Sequence, residues 1–378
     1  MNRMLLVVGA SARAAASSVL RAGWQPLAVD CFGDADLQAM CRAVRVARYP
    51  AELAAAARRL PDAPWMYTGA LENYPRVLAA LARQRRLYGN AVEVVRRARD
   101  PWCWSAAVQR WDMPVPELSR RGERLPRDGT WLCKPRRGSS GSHVRLWLGQ
   151  QPAGRGTYFQ RRIAGLLCGA TYVAASGDAV LLGVCQQFCG TAWLGGADFR
   201  YCGSLGPLRL APCIEQRFAR LGRCLAAELG LVGLLGVDAV LSDDGWPYPV
   251  EINPRYTASV EVLEQALNVP AVAWHIDACT RGELPSACCP IGPHTPVVAK
   301  GIVYARRPLT IDAPLAGRLL EHTGAGPVRL ADVPRCASQI ARGRPILSVI
   351  VQADEPGTAV SMLRDAVGTW ESRLYGRA

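Results

Sequence analysis

The chain has 378 residues, half of them hydrophobic, with 45 Lys+Arg against 31 Asp+Glu and a formal net charge of +14. That length buries more than one core, so two or three domains are expected. No apolar run approaches the roughly 20 residues of a membrane span, and the fourteen cysteines stand without paired CxxC units, which excludes a spanning helix and a cysteine-rich zinc or disulfide scaffold.

In chain order, residues 4–9 and 27–31 read as short buried strands, with an alanine-rich helix from Ser11 to Ala22 between them that ends at Gly23. This βαβ start, without a cleavable signal, points to a cytoplasmic protein. Gly9, Asp30, Glu72 and Asn73 fall where the loops of such a unit open toward a cleft, although each equally fits a turn or a helix cap. Of the 45 basic residues only Lys134 and Lys300 are lysine. A lysine that survives so strong an arginine preference is expected where a compact ammonium is needed. Lys134 stands in WLCKPRRGSSGSHVRLW, before a loop in which Gly138, Ser139, Ser140 and Gly141 can turn backbone N–H groups toward an anion. The lysine precedes the glycines, so this is not the nucleotide P-loop. Lys300, in VVAKGIVYA, has no such neighbours and reads as structural.

The run GVDAVLSDDGWPYPVEINPRY, starting at Gly236, reads as a β-hairpin. A two-residue primed turn at Asp244–Gly245 pairs Asp243 with Trp246 and places Asp238 opposite Glu251. Asn253 follows two residues later on the same face. Opposed like charges destabilise a sheet, so the pair makes sense around a hard divalent cation such as magnesium. One extra bulge residue would separate the two acids, and the flanking VDAVL and PVEI are too apolar for an exposed acidic ribbon.

LCKPRRGSSGSHV, YFQRRIAG and GVDAVLSDDGWPYPVEINPR, in this order and spacing over most of residues 90 to 290, resemble the ATP-grasp superfamily. The N-terminal segment and FRYCGSLGPL resemble its carboligase subgroup related to biotin carboxylase, near ligases of the tyramine–glutamate type in one-carbon carrier biosynthesis. The resemblance implies a mixed α/β and α+β fold: a Rossmann-like pre-ATP-grasp domain over 1–98, the ATP-grasp domain over 99–290 with its second lobe beginning near Thr157, and a small C-terminal α+β unit over 291–378. It implies ATP and Mg2+ as cofactors. Lys134 would touch the inner phosphates under the 138–141 loop, Gln160 and Ile163 would bracket adenine, and Asp238, Glu251 and Asn253 would hold the metal. Arg255 would stabilise an acyl phosphate formed from a carboxylate, which an amine then attacks to give an amide, ADP and phosphate. Glutamate ligation for a methanofuran- or tetrahydromethanopterin-type carrier is the leading substrate expectation, and a homodimer is the family expectation.

Several positions depart from that pattern. A family lysine is replaced by Pro101 after Asp100, with Arg99 as a substitute from another angle; Arg161 and Leu167 stand where acids are common; His143 is a lone loop histidine. Two alternatives therefore stay open, a biotin-carboxylase-like carboligase and a nucleotide-binding regulator without catalysis. The arginines are dispersed in short groups such as Arg85–Arg86 and Arg161–Arg162, so small anionic substrates are expected and a nucleic-acid partner is not. Cys185 and Cys189, four apart, and the adjacent Cys288 and Cys289 supply too few ligands for a metal centre.

Overall fold

The computed structural model describes residues 3–141, 143–149, 156–286 and 291–376. Cys288, Cys289 and the expected boundary at 290 lie outside the described residues. The first unit runs β1 (Met4–Val8), α1 (Arg13–Arg21), β2 (Gln25–Asp30), α2 (Ala35–Met40), β3 (Arg42–Arg45), α3 (Leu53–Arg58), β4 (Trp65–Tyr67) and α4 (Pro75–Ala82). Its sheet is parallel in the order β3-β2-β1-β4. Buried Leu5, Leu6, Val7 and Val8 face helices on both sides, which is why β1 is an unbroken apolar run instead of an alternating one. Gly23 follows α1 in the left-handed region at φ +74°, where L side chains are strained.

Two helices, α5 (Val92–Arg99) and α6 (Pro101–Gln109), lead into the next unit. Pro101 sits in the first turn of α6, and the Asp100 side chain caps it by accepting from Trp102 N. A small sheet follows, from β5 (Leu118–Ser119), β6 (Trp131–Pro135), β7 (Arg145–Leu146) and β8 (Thr157–Arg161), in the order β5-β8-β6-β7. The strand at Thr157 does not open the second lobe as expected. Lys134 pairs with Tyr158 and Leu132 with Gln160, so β8 belongs to the small sheet, and the next sheet starts at Leu166.

The large sheet contains β9 (Leu166–Ala175), β10 (Asp178–Cys189), β11 (Tyr201–Gly206), β12 (Gly233–Leu241) and β13 (Pro247–Asn253), joined by α7 (Pro212–Leu229) and followed by α8 (Ala258–Leu267) and α9 (Ala271–Arg281). The remaining elements are β14 (Val297–Tyr304), β15 (Leu309–Thr310), α10 (Ala313–Glu321), β16 (Val328–Ala331), β17 (Gln339–Ile340), β18 (Pro345–Ala353) and α11 (Pro356–Leu374). The C-terminal segment does not form a main sheet of its own: β14, β18 and β16 extend the large sheet, in the order β13-β12-β9-β10-β11-β14-β18-β16. Gly203 permits the junction, because a Cβ there would lie 1.9 Å from the Lys300 carbonyl oxygen across the β11–β14 ladder. Helix α7 buries Phe218, Leu221 and Leu225 with Tyr172 of β9 in one core, while Val260 and Leu263 of α8 share another with Val7, Ala15 and Val19 of the first unit. The first unit is thus seated on α8, directly after the hairpin that ends at Asn253.

Candidate active site

The hairpin register places Asp238 opposite Glu251, by a route other than the expected turn. Ser242 N donates to Trp246 O (3.1 Å) and Gly245 N to Ser242 O (2.9 Å), leaving a three-residue loop, Asp243–Gly245, with Gly245 at φ +75°. The extra loop residue pairs Leu241 with Pro247, a register that would bring Val250 opposite Asp238. A bulge between Asp238 and Ala239 leaves Val250 unpaired and restores the two acids to one position. The bulge does more than repair register. The freed Val250 carbonyl accepts from Lys134 Nζ (3.0 Å) and Gln160 Nε2 (3.4 Å), and Lys134 also donates to Gln160 Oε1 (3.0 Å).

Lys134 is therefore a buried ammonium whose hydrogen bonds end on neutral oxygens. It lines a cleft of roughly 470 Å³ between the small sheet and the hairpin, together with Arg99, Pro101, Arg136, Gly138, Ser139, Gly141, His143, Tyr158, Val250, Glu251 and Ile252. The glycine loop closes over this cleft onto the large lobe. Tyr201 N donates to Ser140 O (3.0 Å), and Gly141, at φ +66°, lies so near Phe199 that a Cβ would fall 1.9 Å from its carbonyl oxygen. Gln160 reaches the cleft only through Lys134 and Val250, and Ile163 is not among the residues lining it.

Asp238 accepts from Gln187 Nε2 (2.6 Å) and Asn253 Nδ2 (3.0 Å). Burial and then the charge of Glu251 push its carboxyl up to about 6. Burial acts on Glu251 in the same direction, but Arg99 and Lys134 outweigh it and hold that carboxyl below the ordinary range. Two half-buried carboxylates that raise one another's cost, with an amide oxygen at Asn253, form a hard-oxygen set that could hold magnesium. Among the described residues no group of three or more His, Cys, Asp or Glu is arranged to hold a metal by itself.

Two arginines tie this centre to the first unit. Arg99 donates to Glu251, to Ile252 O (3.3 Å), to Gly138 O (3.1 Å) and to Asn73 Oδ1 (3.4 Å), and Asn73 Nδ2 also donates to Gly138 O (3.0 Å). Arg99 is thus committed to the hairpin and loop instead of standing free in the place of the missing lysine. Arg255 donates to Asn253 Oδ1 (3.1 Å) and forms a buried ion pair with Glu72 (2.8 Å). Glu72 and Asn73 are the first unit's contribution to the centre; Asp30 and Gly9 play local parts. Asp30 accepts from Ala12 N (3.1 Å) and Gly33 N (2.8 Å), and Gly9 packs against Thr68. The sequence did not single out Gln187, whose only signal was a polar side chain within an apolar strand.

Residues 98–259 match the family described as ATP-grasp domain. Those residues are an ATP-grasp domain. No curated protein matched it by sequence, but solved structures share the fold over nearly its whole length. N5-carboxyaminoimidazole ribonucleotide synthetase, solved as an ADP complex, superposes with TM-score 0.70 at 16% identity, over 98% of this chain and 97% of that one. Biotin carboxylase from Campylobacter jejuni gives 0.71 at 14%, over 94% and 89%. L-amino acid ligase from Bacillus licheniformis gives 0.67 at 14%, over 96% of both chains. The fold shared with these structures therefore includes the flanking units as well as residues 98–259. No described helix is long and apolar enough to cross a membrane.

Proposed function

We propose that this protein is an ATP-dependent ligase that activates a carboxylate as an acyl phosphate and passes it to an amine, releasing ADP and phosphate. The observation that carries the reading is the buried Lys134 ammonium, bonded to neutral oxygens in the same cleft as the glycine loop and the Asp238–Glu251 pair. An ammonium kept from water without a hydrogen-bonded carboxylate is costly unless an anion arrives. Lys134 and the 138–141 loop would bind the phosphates, and Asp238, Glu251 and Asn253 would hold Mg2+, which neutralises charge on the transferring phosphoryl group. Arg255, braced by Glu72, would orient the carboxylate or its acyl phosphate.

The relatives of this fold include both an amino acid ligase and carboxylases, so a biotin-carboxylase-like reaction on bicarbonate is the second reading. Glutamate joined to an amine of one-carbon carrier biosynthesis is the finer proposal, resting on the sequence resemblance, as do a homodimer and the cytoplasm. The test is to incubate the protein with ATP, Mg2+ and hydroxylamine, with pools of small carboxylates or with bicarbonate, following ADP and hydroxamate together. A ligase gives both products in dependence on a carboxylate. Bicarbonate-dependent ADP without hydroxamate selects the second reading, nucleotide binding without either product indicates a regulator, and substrate-dependent AMP overturns phosphoryl transfer to the acceptor.

A further inference from the structure

We propose that Arg136, laid against the indole of Trp102, is a phosphate-binding arm of the nucleotide cleft, with Trp102 as its positioning residue. The inference rests on the nucleotide reading above and adds residues to that site. Arg136 lines the same wall as Lys134 and Gly138. Its guanidinium carbon lies 4.9 Å from the centre of the Trp102 ring, and that of Arg120 lies 4.0 Å from the same ring. Among the described residues neither arginine has a carboxylate within ion-pair distance. Two like charges converging on one indole repel, and the ring face offsets only part of that repulsion. A polyanion entering the cleft would remove it.

The backbone N–H of Trp102 donates to Asp100 Oδ1 (3.0 Å) at the start of α6, and the indole meets Tyr158 edge to face with centroids 5.7 Å apart. Tyr158 in turn faces Lys134 Nζ at 5.9 Å. Trp102 and Tyr158 thus form an aromatic ledge carrying Lys134 at one end and Arg136 at the other. Arg99, the other arginine of the cleft, is already engaged by Glu251, Gly138 and Asn73. Arg136 is the guanidinium whose planar fork remains available for two phosphate oxygens of a nucleoside di- or triphosphate.

The test compares calorimetric affinities for ATP, ADP and adenosine in the native protein and in Arg136→Gln, Arg136→Lys and Trp102→Leu, with the melting temperature of each free protein as a check on folding. Arg136→Gln is expected to weaken ATP and ADP about tenfold or more, the scale of one charge-assisted phosphate contact, and to leave adenosine unchanged. Arg136→Lys should restore part of the loss, and Trp102→Leu should cost ATP a smaller factor, again sparing adenosine. ATP affinity in Arg136→Gln equal to the native value overturns the inference while the nucleotide site stands, as does an equal loss for ATP and adenosine. Failure of the native protein to bind ATP at all overturns the site and the inference together.

Discussion

The two lysines of this chain are both buried, and their surroundings are opposite. Lys134 is bonded to an amide oxygen and a bulged carbonyl. Lys300 is paired with Glu261 (2.7 Å) and Asp332 (3.4 Å), both of which also bind Arg13, while Asp36 bonds the backbone of Asp332 and Val333. The second cluster joins α1, α2, α8, β14 and the end of β16, so its charges close on one another and fasten the first unit to the large sheet. In the first cluster the cation is left without a bonded anion at the mouth of a cleft. A cation bonded to its counter-ions holds structure together; Lys134, which acts on Glu251 only through space, is left with neutral hydrogen-bond partners facing the cleft.

The largest expected effect tests the matched cluster. Glu261→Gln leaves Arg13 and Lys300 undercompensated and should destabilise the protein by about 3–5 kcal/mol, the usual cost of breaking a buried pair from one side, read as a fall in the urea midpoint at pH 7. Its pH dependence has a definite sign. Burial acts to raise the Glu261 carboxyl, but Arg13 and Lys300 outweigh it and hold it at about 2 against an ordinary 4.5. The stabilisation is therefore complete above pH 4.5 and is lost as pH falls toward 2, so the difference between native protein and variant should shrink over that window.

Lys134→Met sharpens the contrast from the other side. Removing an ammonium that lacks a bonded carboxylate should leave the melting temperature of the free protein unchanged or higher, while ATP affinity falls at least about tenfold. A loss of stability comparable to that of Glu261→Gln would erase the distinction between the two lysines. At the hairpin, Glu251→Gln should preserve the fold and abolish the difference in ATP binding with and without magnesium, measured by calorimetry. Native-like magnesium dependence in this variant would separate Glu251 from the metal.

The smallest expected effect lies three residues along α8. Glu264 accepts from Ser18 and from Ala271 N (2.9 Å), and burial raises its carboxyl to about 7. Because the folded state holds this proton more tightly than the unfolded one, stability falls as pH rises from 4.5 through 7. Glu264→Gln should match the native protein near pH 4.5 and exceed it at pH 8, with thermal denaturation at the two pH values as the measurement.

Much of the site was legible because its chemistry is local in sequence. The lone lysine before GSSG, the acids flanking a turn and the Asn-x-Arg after them are residue types at short spacing, and the pairing of Asp238 with Glu251 follows from strand periodicity. A two-residue turn predicts that pair, and a three-residue loop with a bulge at Val250 gives the same register. Neither irregularity has a signature in the side chains, since a bulge is a backbone solution selected by what packs on both faces of the sheet.

By itself the sequence determined the βαβ start, the glycine loop and the acidic hairpin, all set by periodicity and turn chemistry within about twenty residues. Only the tertiary structure decided where charges met. Arg99 finds Glu251, Arg255 finds Glu72, and Lys300 finds Glu261 beside Arg13. These partners come from separate units brought together by burial of the apolar faces of α1 and α8, and a cation's role, structural or ligand-binding, depends on whether that packing delivers an anion to it.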